Sequence, residues 1–278
     1  DPIVWMISGS KVALRFGPKP VDELAIAGGF RGKALEVVSC DTNEMLIPAH
    51  CEMVIEGEVA LDDAAMEPEG PFGEMFGYMG PRKDSNFVIN VTRVTHRPNP
   101  WLMNAFTGMQ RGMLTAPQDA LYEVFLKSRI PNLVEFQTPQ YCMGTVFMSI
   151  DKKEPGEALK AGRSIAKSNP IAKVIIVVDK DVNILDPIEV LAAVGARWQP
   201  YPAAEIVETA FGLFTDPSQV VYQQTSKIVI DATRQLTAEG GRDDFPKSNR
   251  EHLNEQAPQV WSLVDTQYTK ILADWEPV

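Results

Sequence analysis

Apolar and polar positions change their period near the middle of this chain, and the change divides it. Before it, apolar stretches are short and strand-like, at 34–40 and again at 52–61. Residues 87–96 form the clearest strand, with Phe87, Ile89 and Val91 on one face and Asn90 and Thr92 on the other. Upstream, 1–16 reads as two short strands broken at Gly9, and 18–20 as a rigid Pro-Lys-Pro connector. Residues 21–27 predict a short helix that Gly28 and Gly29 would stop, and 62–69 a loop. The turn Arg97-Pro98-Asn99-Pro100 leads into another predicted strand at 101–106. A run of short strands with few helices predicts a barrel or curled sheet.

After it, the period lengthens. Leu121, Val124, Phe125 and Ile130 make a helical stripe stopped by Pro131, and Thr115 with Gln118 makes a capping-box pattern at its start. Strands at 133–136 and 146–150 then alternate with a helix at 155–167. The unbroken apolar run at 173–179 predicts a strand covered on both faces. Asp186-Pro187 starts a helix through Val194, with Gly195 just past its end, and 226–231 is one more buried strand. Residues 239–251 read as a charged loop. Past Pro258, the residues Val260, Trp261, Val264, Tyr268, Ile271, Leu272 and Trp275 share one stripe, which must dock on its own chain or on a partner subunit. The fold class expected is therefore α+β / α/β: a β-rich part over 1–131, then an α/β part over 132–278 with a terminal amphipathic helix.

Composition narrows the function classes. The 278 residues suffice for one large or two ordinary domains, and 45% hydrophobic with 23% charged residues is ordinary for a globular protein. No apolar run is long enough to span a bilayer, so no membrane segment is expected. A net charge of −11 without Lys/Arg runs argues against a nucleic-acid partner. Three cysteines without CxxC spacing argue against disulfides or structural zinc, and a reducing cytoplasm is the simplest setting. The chain opens on Asp1 and runs straight into the strand-like Ile3–Ile7, which suggests that the natural polypeptide starts earlier.

Candidate chemistry centres on Glu69-Gly70-Pro71-Phe72-Gly73-Glu74. Two glycines and a proline exclude a regular helix or central strand, so the segment is a shaped loop able to aim two carboxyls at one point. Paired carboxyls in different environments are the raw material of general acid–base catalysis, although acids beside Gly and Pro are also common in solvated turns. His50, His96 and His252 lack ligand spacing and read as structural or solvated. Asp179-Lys180-Asp181 fits a metal loop or, more commonly, a charged turn. Lys167, Lys173 and Lys227 are each able to meet a phosphate as point charges. No glycine-rich loop of the Walker or dinucleotide type is present, which removes support for ATP and NAD folds.

Four stretches, in order, carry a resemblance. They are Glu23 followed by Ala27-Gly28-Gly29-Phe30-Arg31-Gly32; Val54-Ile55-Glu56-Gly57-Glu58; Glu69 to Glu74 continuing to Gly77-Tyr78; and Asp216-Pro217-Ser218 with the run from Ser226 to Thr233. Together they resemble the C-terminal portion of the UbiD family of prenylated-flavin-dependent decarboxylases. The resemblance implies a split β-barrel flavin-binding domain followed by an α/β domain used in homo-oligomerisation. The activity implied is reversible, non-oxidative decarboxylation of an aromatic, heteroaromatic or α,β-unsaturated carboxylic acid on prenylated FMN. By resemblance, Glu74 protonates the carbon left by CO2, and Glu69 pairs with an arginine and sets the local charge. Glu23 matches the family's metal glutamate, which helps a divalent ion such as Mn2+, with K+ nearby, to anchor the cofactor phosphate; read without the resemblance, it is a solvated first-turn residue. Either Lys167 or Lys173 corresponds to a family lysine near that phosphate.

The family's network arginine, and the asparagine and histidine of its metal site, lie upstream of the equivalent of Asp1. The missing part is expected to have been cleaved, left out of this numbering, or placed on a separate polypeptide. A second reading follows from that gap: a non-catalytic assembly or partner subunit that keeps the fold but does no chemistry alone.

Overall fold

A computed structural model describes residues 23–102, 112–139 and 142–273. The chain divides into two compact units, Asp1–Thr233 and Arg234–Val278. The strands expected at 1–16, the connector at 18–20 and most of the strand expected at 101–106 lie outside the described residues.

The first unit opens with helix α1 (Glu23–Arg31), then strands β1 (Val37–Ser39), β2 (Leu46–Pro48) and β3 (Met53–Val59). A 3-10 turn at Asp63–Ala65 precedes β4 (Glu67–Glu69), β5 (Lys83–Asn86) and β6 (Ile89–His96). These strands form three antiparallel pairs, β1–β2, β3–β6 and β4–β5, and no closed barrel among the described residues. Helix α1 does not stop at Gly28-Gly29 as expected. It runs through both glycines because its C-terminal cap lies further on: Gly32 takes φ +63°, its N–H donates to Gly29 O, and Lys33 N–H donates to Gly28 O. That pair of bonds satisfies carbonyls the helix end would leave bare.

Helix α2 (Gly112–Lys127) leads to a sheet built from β7 (Leu133–Gln137), β8 (Thr145–Ile150), β9 (Val174–Asp179), β10 (Ala204–Phe211) and β11 (Gln224–Asp231). Helix α3 (Glu157–Ser168) connects β8 to β9, and α4 (Pro187–Arg197) follows β9. The order is β10-β11-β9-β8-β7, with β8, β9 and β11 parallel and the two edge strands antiparallel. Alternation along β9 explains its unbroken apolar run. Ile175 and Val177 join a core with Leu126, Met148, Ile165 and Val229, while Ile176 and Val178 join a second core with Ile184, Val190 and Ala193. Both faces of the strand are thus buried. Gly162 lets α3 sit close to the sheet, since a Cβ there would collide with Val229.

Three further helix boundaries differ from expectation. Helix α2 starts at Gly112, so Thr115 lies inside it instead of capping it. Helix α4 runs past Gly195 to Arg197, whose guanidinium the sheet's acidic turn holds. The charged stretch at 239–251 includes the start of a helix in the second unit, α5 (Asn249–Gln256). Ser248 caps it, its hydroxyl accepting Glu251 N–H at 3.1 Å and its own N–H donating to the Glu251 carboxylate at 2.7 Å. The terminal helix α6 (Gln259–Ala273) keeps Trp261, Leu263, Val264 and Tyr268 two-fifths or more exposed. Among the described residues no helix is long and apolar enough to cross a membrane.

Candidate active site

The Glu69–Glu74 motif begins at the end of β4 and continues into a tight hairpin. Glu69 pairs in register with Lys83 on β5, and a cis peptide bond joins Gly70 to Pro71. Gly80 N–H donates to Phe72 O, Glu74 N–H to Tyr78 O and Gly77 N–H to Glu74 O, each at 2.9 Å. A lone bridge between Gly73 and Met79 closes the ladder. Gly70 and Gly77 take φ near +80°, the left-handed conformation that a side chain makes costly. The glycines of the motif therefore build the loop, and the two acids sit at its two ends.

The two acids have different partners. The Glu69 carboxylate accepts from Asn86 Nδ2 and lies 3.5 Å from Lys83 Nζ. Lys83 in turn sits over the Phe214 ring, 5.8 Å from its centroid, which ties this end of the motif to the loop after β10. Glu74 is half-buried, its side chain lying against the backbone of Gly80. Phe76, two residues on, contacts the turn before β8: a Cβ built on Gly144 would lie 3.3 Å from its ring. Gly144 O accepts from the backbone N–H of Lys173 at 2.7 Å and of Val174 at 3.0 Å, so the hairpin tip rests where Lys173 enters β9.

Lys173 is held from the other side. Its ammonium lies 3.2 Å from Asp216 and donates to Ser218 Oγ at 2.5 Å, while the Ser218 hydroxyl donates to Asp216 Oδ1 at 2.8 Å. Burial pushes the Asp216 carboxyl up, but hydrogen bonds from the Ser218 backbone and hydroxyl and from Lys173 outweigh it and keep the group below the usual carboxylate range. An ammonium has three donors and stays partly exposed here, so Lys173 keeps a face for an anion. Lys167 sits elsewhere, exposed on the last turn of α3 near Glu205, to which Arg163 already donates.

Lys227 is not placed to meet a phosphate in solvent. It is 3% exposed on β11, its ammonium donates to Asn169 O at 2.5 Å, and burial lowers its pKa to about 8. Asp119 on α2 is the other strongly shifted group. Burial raises its carboxyl to about 7, against the pull of hydrogen bonds from the Thr138 backbone and side chain.

The histidines and the acidic turn have ordinary roles. His50 Nε2 lies 2.8 Å from Glu36, His96 Nδ1 lies 2.7 Å from Arg97 O, and His252 is exposed on α5. Asp179 and Asp181 both accept from Arg197, at 2.7 and 2.9 Å, which makes the turn an ion-paired strand end. Among the described residues no three or more of His, Cys, Asp and Glu converge as a metal site. Glu23 opens α1, but its side chain lies outside the described set. A carboxylate from Glu23 alone does not make a divalent-ion site, which takes several oxygen ligands.

Lys83, Asn86 and Gly80 were not read from the sequence as parts of the site. Lys83 and Asn86 lie more than a dozen residues beyond Glu69, and only the β4–β5 pairing brings them beside it. Asp216 and Ser218 were visible as a motif, but their grip on Lys173 spans 43 and 45 positions.

This combination defines a mixed α+β protein with a doubly covered mixed sheet and an acid-bearing hairpin docked where the interior strands β8 and β9 begin. Two family models match it: the 3-octaprenyl-4-hydroxybenzoate carboxy-lyase Rift-related domain over residues 1–110 and the C-terminal domain of the same carboxy-lyase over 112–232. The chain belongs to the UbiD family. An uncharacterized protein of Archaeoglobus fulgidus is 31% identical over 82% of this chain and 48% of its own length. The UbiD-class enzyme HmfF from Pelotomaculum thermopropionicum, solved in complex with FMN, is 33% identical with a TM-score of 0.72, covering 89% of this chain and 55% of that one. An evolved dimeric form of HmfF, solved in complex with prFMN, is 31% identical with a TM-score of 0.67, covering 89% of this chain and 52% of that one. The chain thus spans about half the length of the relatives it matches.

Proposed function

We propose that this chain supplies the proton-donating part of an enzyme that reversibly decarboxylates an aromatic, heteroaromatic or α,β-unsaturated carboxylic acid on prenylated FMN. The observation that carries the reading is the hairpin itself, which holds Glu74 half-buried at one end and Glu69, fixed by Asn86 and Lys83, at the other. Related solved structures hold FMN and prFMN. The bound flavin would supply an electron sink for the carbon that loses CO2. Glu74 would then deliver its proton to that carbon and, in the reverse direction, remove it. Glu69 would set the charge around the hairpin, and the open face of Lys173 fits a cofactor phosphate better than exposed Lys167, because Asp216 and Ser218 already fix its position. We assign 1–131 to part of the flavin-binding domain and 132–278 to the α/β domain, with the exposed stripe of α6 used in homo-oligomerisation.

Mn2+ and K+ would need ligands beyond the described residues, with Glu23 one contributor. Replacing Glu74 by Gln keeps the shape but cannot deliver the proton, so CO2 release and exchange should vanish while the fold stays intact. Activity retained in that variant would overturn the assignment. A flavin-like absorbance spectrum with bound manganese favours the enzyme. A colourless, metal-free and inactive protein favours the second reading, an assembly or partner subunit.

A further inference from the structure

Gly73 and Gly80 of the hairpin lie outside the positive-φ region, so backbone conformation does not require glycine at either, and at Gly80 a neighbouring side chain does. Gly70, Gly77 and, across the contact, Gly144 all take positive φ, so their lack of a side chain is explained by conformation. Gly80 does not: its φ lies outside the left-handed region. What it lacks room for is a neighbour. A Cβ built on Gly80 would lie 2.8 Å from Glu74 Cγ, 3.2 Å from Oε1 and 3.5 Å from Cδ. The first distance is well inside the roughly 3.5–4.0 Å at which carbon atoms rest against each other. Glu74 therefore lies along the bare face of Gly80 from its second side-chain carbon to its carboxyl.

Gly80 cannot drift away to make room. Its N–H is bonded to Phe72 O at 2.9 Å, across the ladder from the Glu74–Tyr78 bond, and Pro81 follows it. A glutamate has three side-chain torsions and is ordinarily mobile when half exposed. Here one side of its path is walled by backbone that hydrogen bonds fix.

We infer that Gly80 is a positioning residue for Glu74, its missing side chain forming the seat that sets where the carboxyl points. The inference rests on the reading of Glu74 as proton donor. The collision from an added methyl is with a side chain and not with backbone, and because its nearest atom is Cγ the Glu74 side chain moves from Cγ outward and carries the carboxyl with it.

The test is Gly80→Ala, compared with wild type and with Glu74→Gln in the cofactor-loaded enzyme, together with a crystal structure of Gly80→Ala. The expected result is a fall in kcat for CO2 release on the order of tenfold to a hundredfold with KM within about threefold, since a misplacement of about 1 Å costs this much. The crystal structure should show the Glu74 carboxyl displaced while the Gly80–Phe72 and Glu74–Tyr78 bonds persist. An unmoved carboxyl, or an unchanged kcat beside an inactive Glu74→Gln, overturns the assignment of Gly80 alone. A Gly80→Ala chain that fails to fold overturns it too, because the collision would then be with the fold. Glu74→Gln turning over like wild type overturns the proton-donor reading itself, whatever Gly80→Ala does.

Discussion

The central strands of the sheet bury Met148, Ile175, Val177 and Val229 completely, whereas the hairpin that carries Glu74 leaves Phe72 48%, Tyr78 65% and Met79 66% exposed. The first region is held by apolar burial on both faces and the second by a few hydrogen bonds, one ion pair and two ring contacts. The contrast is physical in origin. A half-exposed loop that keeps its carboxyls out of a core borrows rigidity from glycine turns and from contacts with a scaffold that has one. Phe76 against Gly144 and Lys83 over Phe214 are those contacts, and they reach the turn before β8 and the loop after β10.

The largest expected effect tests the scaffold. Ile175→Ala removes a fully buried side chain from the core under α3, and chemical denaturation should show a loss of about 2–5 kcal/mol. A loss below about 1 kcal/mol would mean that the sheet is not the rigid partner in this comparison. Asp119 comes next. Its folded pKa of about 7 lies above the unfolded value near 3.9, so the folded state binds the extra proton between those limits and stability falls as pH rises through that window. Asp119→Asn should be more stable relative to wild type at pH 7 than at pH 4, by roughly 1–4 kcal/mol. An advantage independent of pH would rule out burial of the charge as the cause.

Lys227 gives the opposite slope. Its pKa falls from an unfolded value near 10.4 to about 8, so the unfolded state binds more protons between these values and stability rises with pH across the window. Lys227→Met should flatten that rise in urea melts taken from pH 8 to 10; an unchanged slope would assign it to other groups. The smallest effect belongs to the hairpin. Lys83 and Glu69 are both partly exposed, and Lys83→Ala should change stability by less than about 1 kcal/mol. A larger loss would show that the hairpin is bound to the sheet more firmly than its exposure indicates.

The sheet was legible from apolar runs because burial on both faces leaves a mark on every residue of a strand, as at Val174–Val178. Strand β10 was missed for the matching reason: as an antiparallel edge it is half exposed and its sequence, AEIVETAF, carries no clean period. Helix ends were misread at Gly28-Gly29 and Gly195, where glycine sits inside the helix and a later residue ends it. Lys227 was a phosphate candidate even though its strand reads as buried, and its depth in the sheet, with its ammonium bonded to Asn169 O, decides for the buried reading.

The sequence by itself determined the UbiD membership, the two structural styles before and after the middle of the chain, and the pair of acids on an irregular loop. These depend on local order, which letters record directly. Only the tertiary structure decided that Lys83 and Asn86 hold Glu69, that Asp216 and Ser218 fix Lys173, and that Gly80 lies beneath Glu74. Each of those depends on chain segments brought together by strand pairing or by loops docking at the strand ends, and no period or spacing in one segment encodes the distance to another.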